Sequence, residues 1–173
     1  MATFKSTGEN RFDDYMSPKS AWDAIKNIIP KNKIIWEPFY GDGKSGQYLK
    51  ELGFNNVIHE PDVDFFLNNK GDIIISNPPF SKAQKVLKRL VELNKPFILI
   101  LPVSKITTNY FYDIIGFDEN KSKKFKILIP RKRIQFGKLK NGECKFNNAC
   151  NFDCFYYCYD IETLENKPAI IWL

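Results

Sequence analysis

The residues best suited to chemistry are Asn77-Pro78-Pro79-Phe80, which follow directly on the run Ile73-Ile74-Ile75-Ser76. An exocyclic amine on a nucleobase is a poor nucleophile, because its lone pair is delocalised into the ring. Two acceptors aimed at the amine hydrogens draw that pair back onto nitrogen and favour the positive charge that develops in the transition state. Asn77 offers its side-chain carbonyl as one acceptor, and Pro78 its backbone carbonyl as the other. The two prolines stiffen the loop and add no N–H donors beside that carbonyl. Phe80 supplies a ring face on which a flipped or single-stranded base could stack. No general base has to hold the proton before transfer, so the presence of a single histidine, His59, is no objection.

A second constellation lies upstream, at Glu37-Pro38-Phe39-Tyr40-Gly41-Asp42-Gly43. It sits at a strand-to-helix junction, where open α/β sheets bind ligands. Gly41 and Gly43 let backbone come close to a ligand. Gly43-Lys44-Ser45 superficially resembles a phosphate-binding loop but lacks its leading glycine. The carboxylate of Glu37 would repel a pyrophosphate and suit a ligand with an ammonium group. That combination fits the methionine part of S-adenosylmethionine better than NAD or ATP. Beyond the next strand, Glu60 or Asp62 is placed to accept from ribose hydroxyls, the role an acid plays at that strand's end. Asp64 would accept from the adenine amino group, and Phe65 would pack on its face. Each of these acids also reads as an ordinary solvated loop charge.

The elements that position these loops follow from periodicity. Ser17, as N-cap, opens a helix with Pro18 in its first turn, a stripe of Trp22, Ile25 and Ile28-Ile29, and a stop at Pro30. Residues 33–36 form a short buried strand, 45–52 a helix closed by Gly53, and 56–59 a second strand. Residues 72–76 are a third apolar strand, 81–94 an amphipathic helix, and 96–101 the most central strand. Continuous apolar strands alternating with helices predict a parallel sheet covered on both faces. After Pro102 the pattern changes: strands are predicted at 125–129, 134–136 and 152–159, with a turn or loop over 138–148. The expected fold is α/β, a single Rossmann-like domain over residues 1–173, with a mostly parallel seven-stranded sheet and an antiparallel C-terminal edge hairpin.

Composition narrows the class of protein. The 173 residues, 43% apolar and 15% aromatic, suit one domain with a sizeable core and exclude general disorder. No run approaches the roughly 20 apolar residues of a membrane span, and the N-terminus has no hydrophobic signal core. The reading is therefore of an intracellular protein, cytoplasmic or nuclear. Its net charge of +6 is unevenly spread: residues 121–145 carry ten Lys and Arg against Glu143 alone. Lys132, Arg133, Lys138 and Lys140 are the candidate partners of a phosphate backbone of DNA or RNA, against a solvated hairpin face as the plain alternative. Cys144, Cys150, Cys154 and Cys158 lack the paired spacing of common zinc sites and read as reduced, partly buried thiols. No metal site is expected.

Taken together, the chain resembles the class I S-adenosylmethionine-dependent amino-methyltransferases, whose catalytic tetrad is written [D/N/S]-P-P-[Y/F/W]. Glu37–Gly43 resembles the first cofactor motif, Asp64-Phe65-Phe66 the adenine-contacting pair, and Asn77–Phe80 the catalytic motif. Asp13-Asp14-Tyr15-Met16-Ser17-Pro18 resembles the segment, here residues 1–18, that folds over the methionine end of the cofactor. This would place Tyr15 and Pro18, and Asn77 itself, in the cofactor site. Arg133-Ile134-Gln135-Phe136 and the strand after it are similar to the terminal hairpin of small phage and viral members, within a basic hairpin at 121–160. The order of motifs resembles the N6-adenine branch. The resemblance implies methyl transfer to adenine N6 in DNA or RNA, with S-adenosylmethionine as cofactor and a partner subunit as one source of target recognition. Guanine N2 of rRNA, cytosine N4, a protein glutamine, and a non-catalytic binding subunit remain as alternatives, because the tetrad fixes reaction type better than substrate.

Overall fold

The computed structural model describes residues 13–140, 143–146 and 152–173, and the side chains of Lys140 and Glu143 are not among what is described. The Cys150 reading and most of the N-terminal segment, residues 1–12, lie outside the described residues. The chain enters as β1 (Tyr15–Met16) and turns into α1 (Lys19–Asp23). It continues through β2 (Ile35–Trp36), α2 (Lys44–Glu51), β3 (Val57–Ile58) and β4 (Ile73–Ser76). A single 3-10 turn at Phe80–Lys82 leads into α3 (Ala83–Glu92), followed by β5 (Phe97–Pro102). A short α4 (Asn109–Phe111) widens into a π turn over Tyr112–Gly116 before α5 (Glu119–Lys124) and β6 (Phe125–Ile129). The hairpin β7 (Gly137–Lys140) and β8 (Glu143–Lys145) precedes β9 (Cys154–Tyr159) and β10 (Ile170–Trp172).

Seven of these strands form one sheet in the order β10-β6-β9-β5-β4-β2-β3. All run parallel except β9, which is antiparallel to both β5 and β6. Every residue of β4 and β5 is buried, which is why both read as unbroken apolar runs. The antiparallel pair β6–β9 lies on the β5 side, and β10 adds one further parallel strand outside it. Tyr156 and Tyr157 are buried in β9 and use their hydroxyls as donors, to Ala21 O at 2.7 Å and Pro102 O at 2.8 Å. Cys154 and Cys158 are buried free thiols of the same strand, and Cys144 is a half-buried one.

Three local expectations are corrected. Ser17 is not the helix cap: α1 starts at Lys19 behind Pro18, whose ψ of 156° is extended, and the buried Ser17 hydroxyl caps nothing. A residue ahead of proline is steered away from helical backbone, which delays the start. Ile134 and Phe136 are buried but lie outside any strand, and the paired strand begins at Gly137. Within the stretch expected as a turn or loop, β7 and β8 pair as an antiparallel ladder, with β1 pairing antiparallel on its outer side through Tyr15↔Lys138 and Met16↔Gly137.

Candidate active site

Strand β2 pairs with β3 through Trp36↔Ile58 and with β4 through Trp36↔Ile74. The chain therefore leaves β2 toward one side of the sheet and returns on the other. The two connections diverge and open a crevice past the carboxyl ends of β2 and β4. Glu37 is the first residue after β2, and Asn77 the first after β4. The sheet thus brings together two motifs that are 40 residues apart in sequence.

Glu37 is 1% exposed, and its Oε1 accepts from Ser76 Oγ at 2.5 Å and from Phe39 N at 3.1 Å. Burial pushes its pKa from 4.5 up to about 8, with the Ser76 bond and the Phe39 and Asn77 amides pulling back part of the way. None of the ion pairs among the described residues includes it. With no described cation beside it, burial favours the neutral form of this carboxyl. Gly41 and Gly43 take left-handed φ values of 57° and 78°. A Cβ on Gly41 would stand 2.9 Å from Met16 Sδ, so the N-terminal strand lies directly over this loop. Pro38 is buried, and the ring of Phe39 packs 5.3 Å from that of Phe65.

His59 braces the loop from beneath. Its Nδ1 lies 2.9 Å from the carbonyl of Glu37, which requires Nδ1 to carry the proton, and its ring stacks on Tyr40 at 4.7 Å. Burial lowers the His59 pKa and keeps the ring neutral. Gly46 of α2 makes room for it, since a Cβ there would meet the imidazole at 2.5 Å.

In the tetrad, Asn77 Nδ2 donates to the carbonyl of Tyr15 at 2.8 Å. Only the NH2 end of the amide can donate, so this bond fixes which way Asn77 faces. Its Oδ1 is buried and accepts no hydrogen bond among the described residues. Pro78 is buried and Pro79 half-buried. Phe80 is buried too, stacked against Tyr15 at 6.2 Å and 20°, with Phe152 edge-on at 5.4 Å and Phe136 at 6.2 Å. The N-terminal segment is latched here a second time: the Asp13 carboxylate accepts from the Ser81 backbone N–H at 3.0 Å and from the Ser81 hydroxyl. Pro18 stands half-buried between this latch and α1.

The remaining acids lie on the surface. Glu60 pairs with Lys70, and Asp62 takes a left-handed φ of 61°. Asp64 turns its carboxylate onto the Phe66 amide at 2.7 Å. Phe65 is buried between Trp36 and Phe39 as part of the core.

The basic stretch divides in two. Lys121, Lys123 and Lys124 precede β6 at the opposite end of the sheet, paired with Asp118, Glu119 and Asp160. Lys132, Arg133 and Lys138 are exposed and follow β6, at the tetrad's end. There Arg133 pairs with Asp153 at 2.8 Å, and Lys138 Nζ lies 5.0 Å from the Tyr15 ring centroid. Lys140 closes β7. A cavity of about 470 Å³ walled by Lys33, Lys124 and Glu162 also lies at the opposite end, away from the crevice.

Sequence reasoning missed Ser76, the bracing role of His59, and the aromatic group that Phe136 and Phe152 complete around Tyr15 and Phe80. Ser76 had a signal, being the lone polar residue in a fully buried strand.

This sheet order, with its crevice between β2 and β4, is the class I methyltransferase fold. A candidate class I S-adenosylmethionine-dependent methyltransferase of Listeria monocytogenes, known from its crystal structure, superposes with a TM-score of 0.50 at 12% identity, over 94% of this chain and 66% of that one. The chain is also similar to the type II methyltransferase M.EcoRI of Escherichia coli, 38% identical in an 88-residue alignment that covers 43% of this chain and 26% of that enzyme. It thus spans about a quarter of M.EcoRI and about two thirds of the Listeria protein. No model of a known protein family matches it. Among the described residues, no helix is long and apolar enough to cross a membrane.

Proposed function

We propose that this chain is an S-adenosylmethionine-dependent N-methyltransferase acting on the N6 amine of adenine in DNA or RNA. The observation that carries the reading is Asn77 Oδ1: a buried acceptor, held in one orientation by the Tyr15 carbonyl and met by no donor among the described residues. Such an atom costs about 1–3 kcal/mol if nothing ever meets it. An amine hydrogen delivered to the tetrad would meet it.

The residues present fit the cofactor. Glu37 offers a buried carboxyl for the ammonium of its methionine part, and the glycines of 41–43 allow close backbone approach. Glu60 or Asp62 would serve the ribose, Asp64 the adenine, and Tyr15 and Pro18 the covering segment. S-adenosylmethionine would supply, when bound, a methyl carbon that a nitrogen lone pair can attack, the bond to the positively charged sulfur breaking to leave a neutral thioether and the amine's extra proton passing to water. The chain's own residues do the rest. Asn77 Oδ1 and the Pro78 carbonyl hold the two amine hydrogens and restore the lone pair. Phe80, expected to offer a face for a base, is instead enclosed by Tyr15, Phe136 and Phe152, and with them excludes water from the tetrad.

Nucleic acid is favoured over a protein glutamine by Lys132, Arg133 and Lys138, which stand exposed at the same end of the sheet. M.EcoRI, as a type II methyltransferase, points the same way. The test is transfer of tritiated methyl groups to mixed DNA and RNA, followed by digestion to nucleosides. N6-methyladenosine or its deoxy form is expected. Asn77→Ala should abolish transfer with a much smaller loss of cofactor affinity, since Asn77 acts on the acceptor amine and also anchors Tyr15 over the cofactor site. Near-normal turnover in that variant overturns the assignment, and label appearing only in protein replaces the substrate.

A further inference from the structure

A cavity of about 370 Å³ opens at the tetrad's end of the sheet, between the end of β5 and the start of β9. Its walls are Pro102, Val103, Ser104, Phe152, Asp153 and Phe155. The strand ends are tied by the Val103 N–H donating to Asp153 O at 2.9 Å. Beneath them the buried Tyr157 hydroxyl lies 2.8 Å from Pro102 O and 3.3 Å from Val103 O. The site is therefore built on braced backbone rather than on a loose loop.

Phe152 is shared between two places. One of its neighbours is the cavity, and the others are Tyr15, edge-on at 5.0 Å, and Phe80 at 5.4 Å. A ring in that position is a partition between the tetrad and the cavity. Two walls are aromatic, Phe152 and Phe155, and the polar rim is a hydroxyl and a carboxylate. Arg133 holds that carboxylate at 2.8 Å, with its guanidinium exposed beside the mouth. Aromatic walls, acceptors at one edge and a cation at the entrance are what a nucleotide presents the complement of.

We propose that this cavity seats the nucleobase adjacent to the one presented to Asn77, with Phe152 as the wall between the two. The inference rests on the nucleic-acid reading above. The Asp153 carboxylate can accept from the exocyclic amine of adenine, cytosine or guanine, whereas thymine and uracil offer only an N3–H flanked by two carbonyls that the carboxylate repels, so the amine-bearing neighbours are favoured.

The experiment measures kcat/KM on short single-stranded oligonucleotides with one adenine, varying the base on each side and replacing each neighbour in turn by an abasic site. Loss of one neighbour is expected to lower kcat/KM about tenfold or more, the scale of one base–aromatic stack, and loss of the other to change it little. Phe155→Ala should bring that ratio near one while leaving transfer to the abasic substrate at the wild-type rate. Ser104→Trp, at the exposed rim, fills the same space without replacing a strand residue and should act alike. Asp153→Asn should remove the discrimination against thymine.

Equal rates for all neighbours in the wild type, or an unchanged ratio in both cavity variants, overturn the inference and leave the functional reading standing. Absence of transfer to any oligonucleotide, including transfer to a peptide alone, overturns the functional reading and this inference with it.

Discussion

On the proposed reading, pairing of the buried Glu37 carboxyl with the cofactor's ammonium makes cofactor affinity a sensitive function of pH. With its pKa pushed up to about 8, Glu37 is neutral in the free protein at pH 6–7. To pair with an ammonium it must give up that proton, and each pH unit below about 8 costs about 1.4 kcal/mol, a factor of ten in affinity. An α-amino group itself loses its proton near 7.7–8.0, so affinity also falls above that range. The expected profile is a bell centred near pH 8, dropping roughly sevenfold by pH 6.5. Isothermal titration with the demethylated cofactor, in buffers of different ionisation enthalpy, reads both the affinity and the proton released. Close to one proton should leave per binding event at pH 6.5.

Glu37→Gln keeps the size and an acceptor but cannot pair with the cation, so binding weakens and the acid limb vanishes. The same change affects stability in the opposite sense. A carboxyl whose folded pKa is raised contributes stability below its unfolded value of about 4.5 and loses it as pH climbs toward 8. Over that window the free wild type should lose a few kcal/mol from this group, and the glutamine variant should not. The variant melts higher at pH 8.5 and binds worse. A flat affinity between pH 6 and 8 with no proton release refutes the assignment of Glu37 as the ammonium partner.

Other perturbations have defined outcomes. Gly46→Ala drives a methyl into the His59 ring, and a calorimetric melt should record about 1–3 kcal/mol of lost stability together with weaker cofactor binding. Replacing Lys132, Arg133 and Lys138 by Gln should flatten the salt dependence of nucleic-acid binding by up to about 0.7–0.9 for each phosphate no longer neutralised, whereas the same change at Lys121, Lys123 and Lys124 should not. Tyr156→Phe removes the 2.7 Å bond to Ala21 O and should cost about 1–3 kcal/mol in denaturant unfolding, with the buried carbonyl left unmet.

The strands that carry the two motifs were legible because each is buried on both faces, and composition alone then signals them. Ile73–Ile75 and Phe97–Leu101 needed no partner to be recognised. Ile134 and Phe136 show the limit of that logic. They alternate in and out as a strand would, but periodicity reports burial and says nothing about whether the backbone is paired. The hairpin that follows was missed although Asn141-Gly142 stands between its strands, a pairing that favours tight turns. What no local pattern could supply were bonds across long separations. The Ser76–Glu37 bond spans 39 residues, and the Asn77–Tyr15 bond spans 62. The placement of the acids after β3 was likewise set by neighbours such as Lys70.

The bond from Asn77 to the Tyr15 carbonyl ties residue choice at one position to a segment far upstream. A tetrad beginning with aspartate would present a second acceptor to that carbonyl, and the two oxygens would repel. Descendants of this chain could therefore exchange Asn77 for Asp only after the N-terminal strand had found another anchor. The two sites should co-vary in an alignment of relatives, with the strap's geometry diverging first and the tetrad letter following.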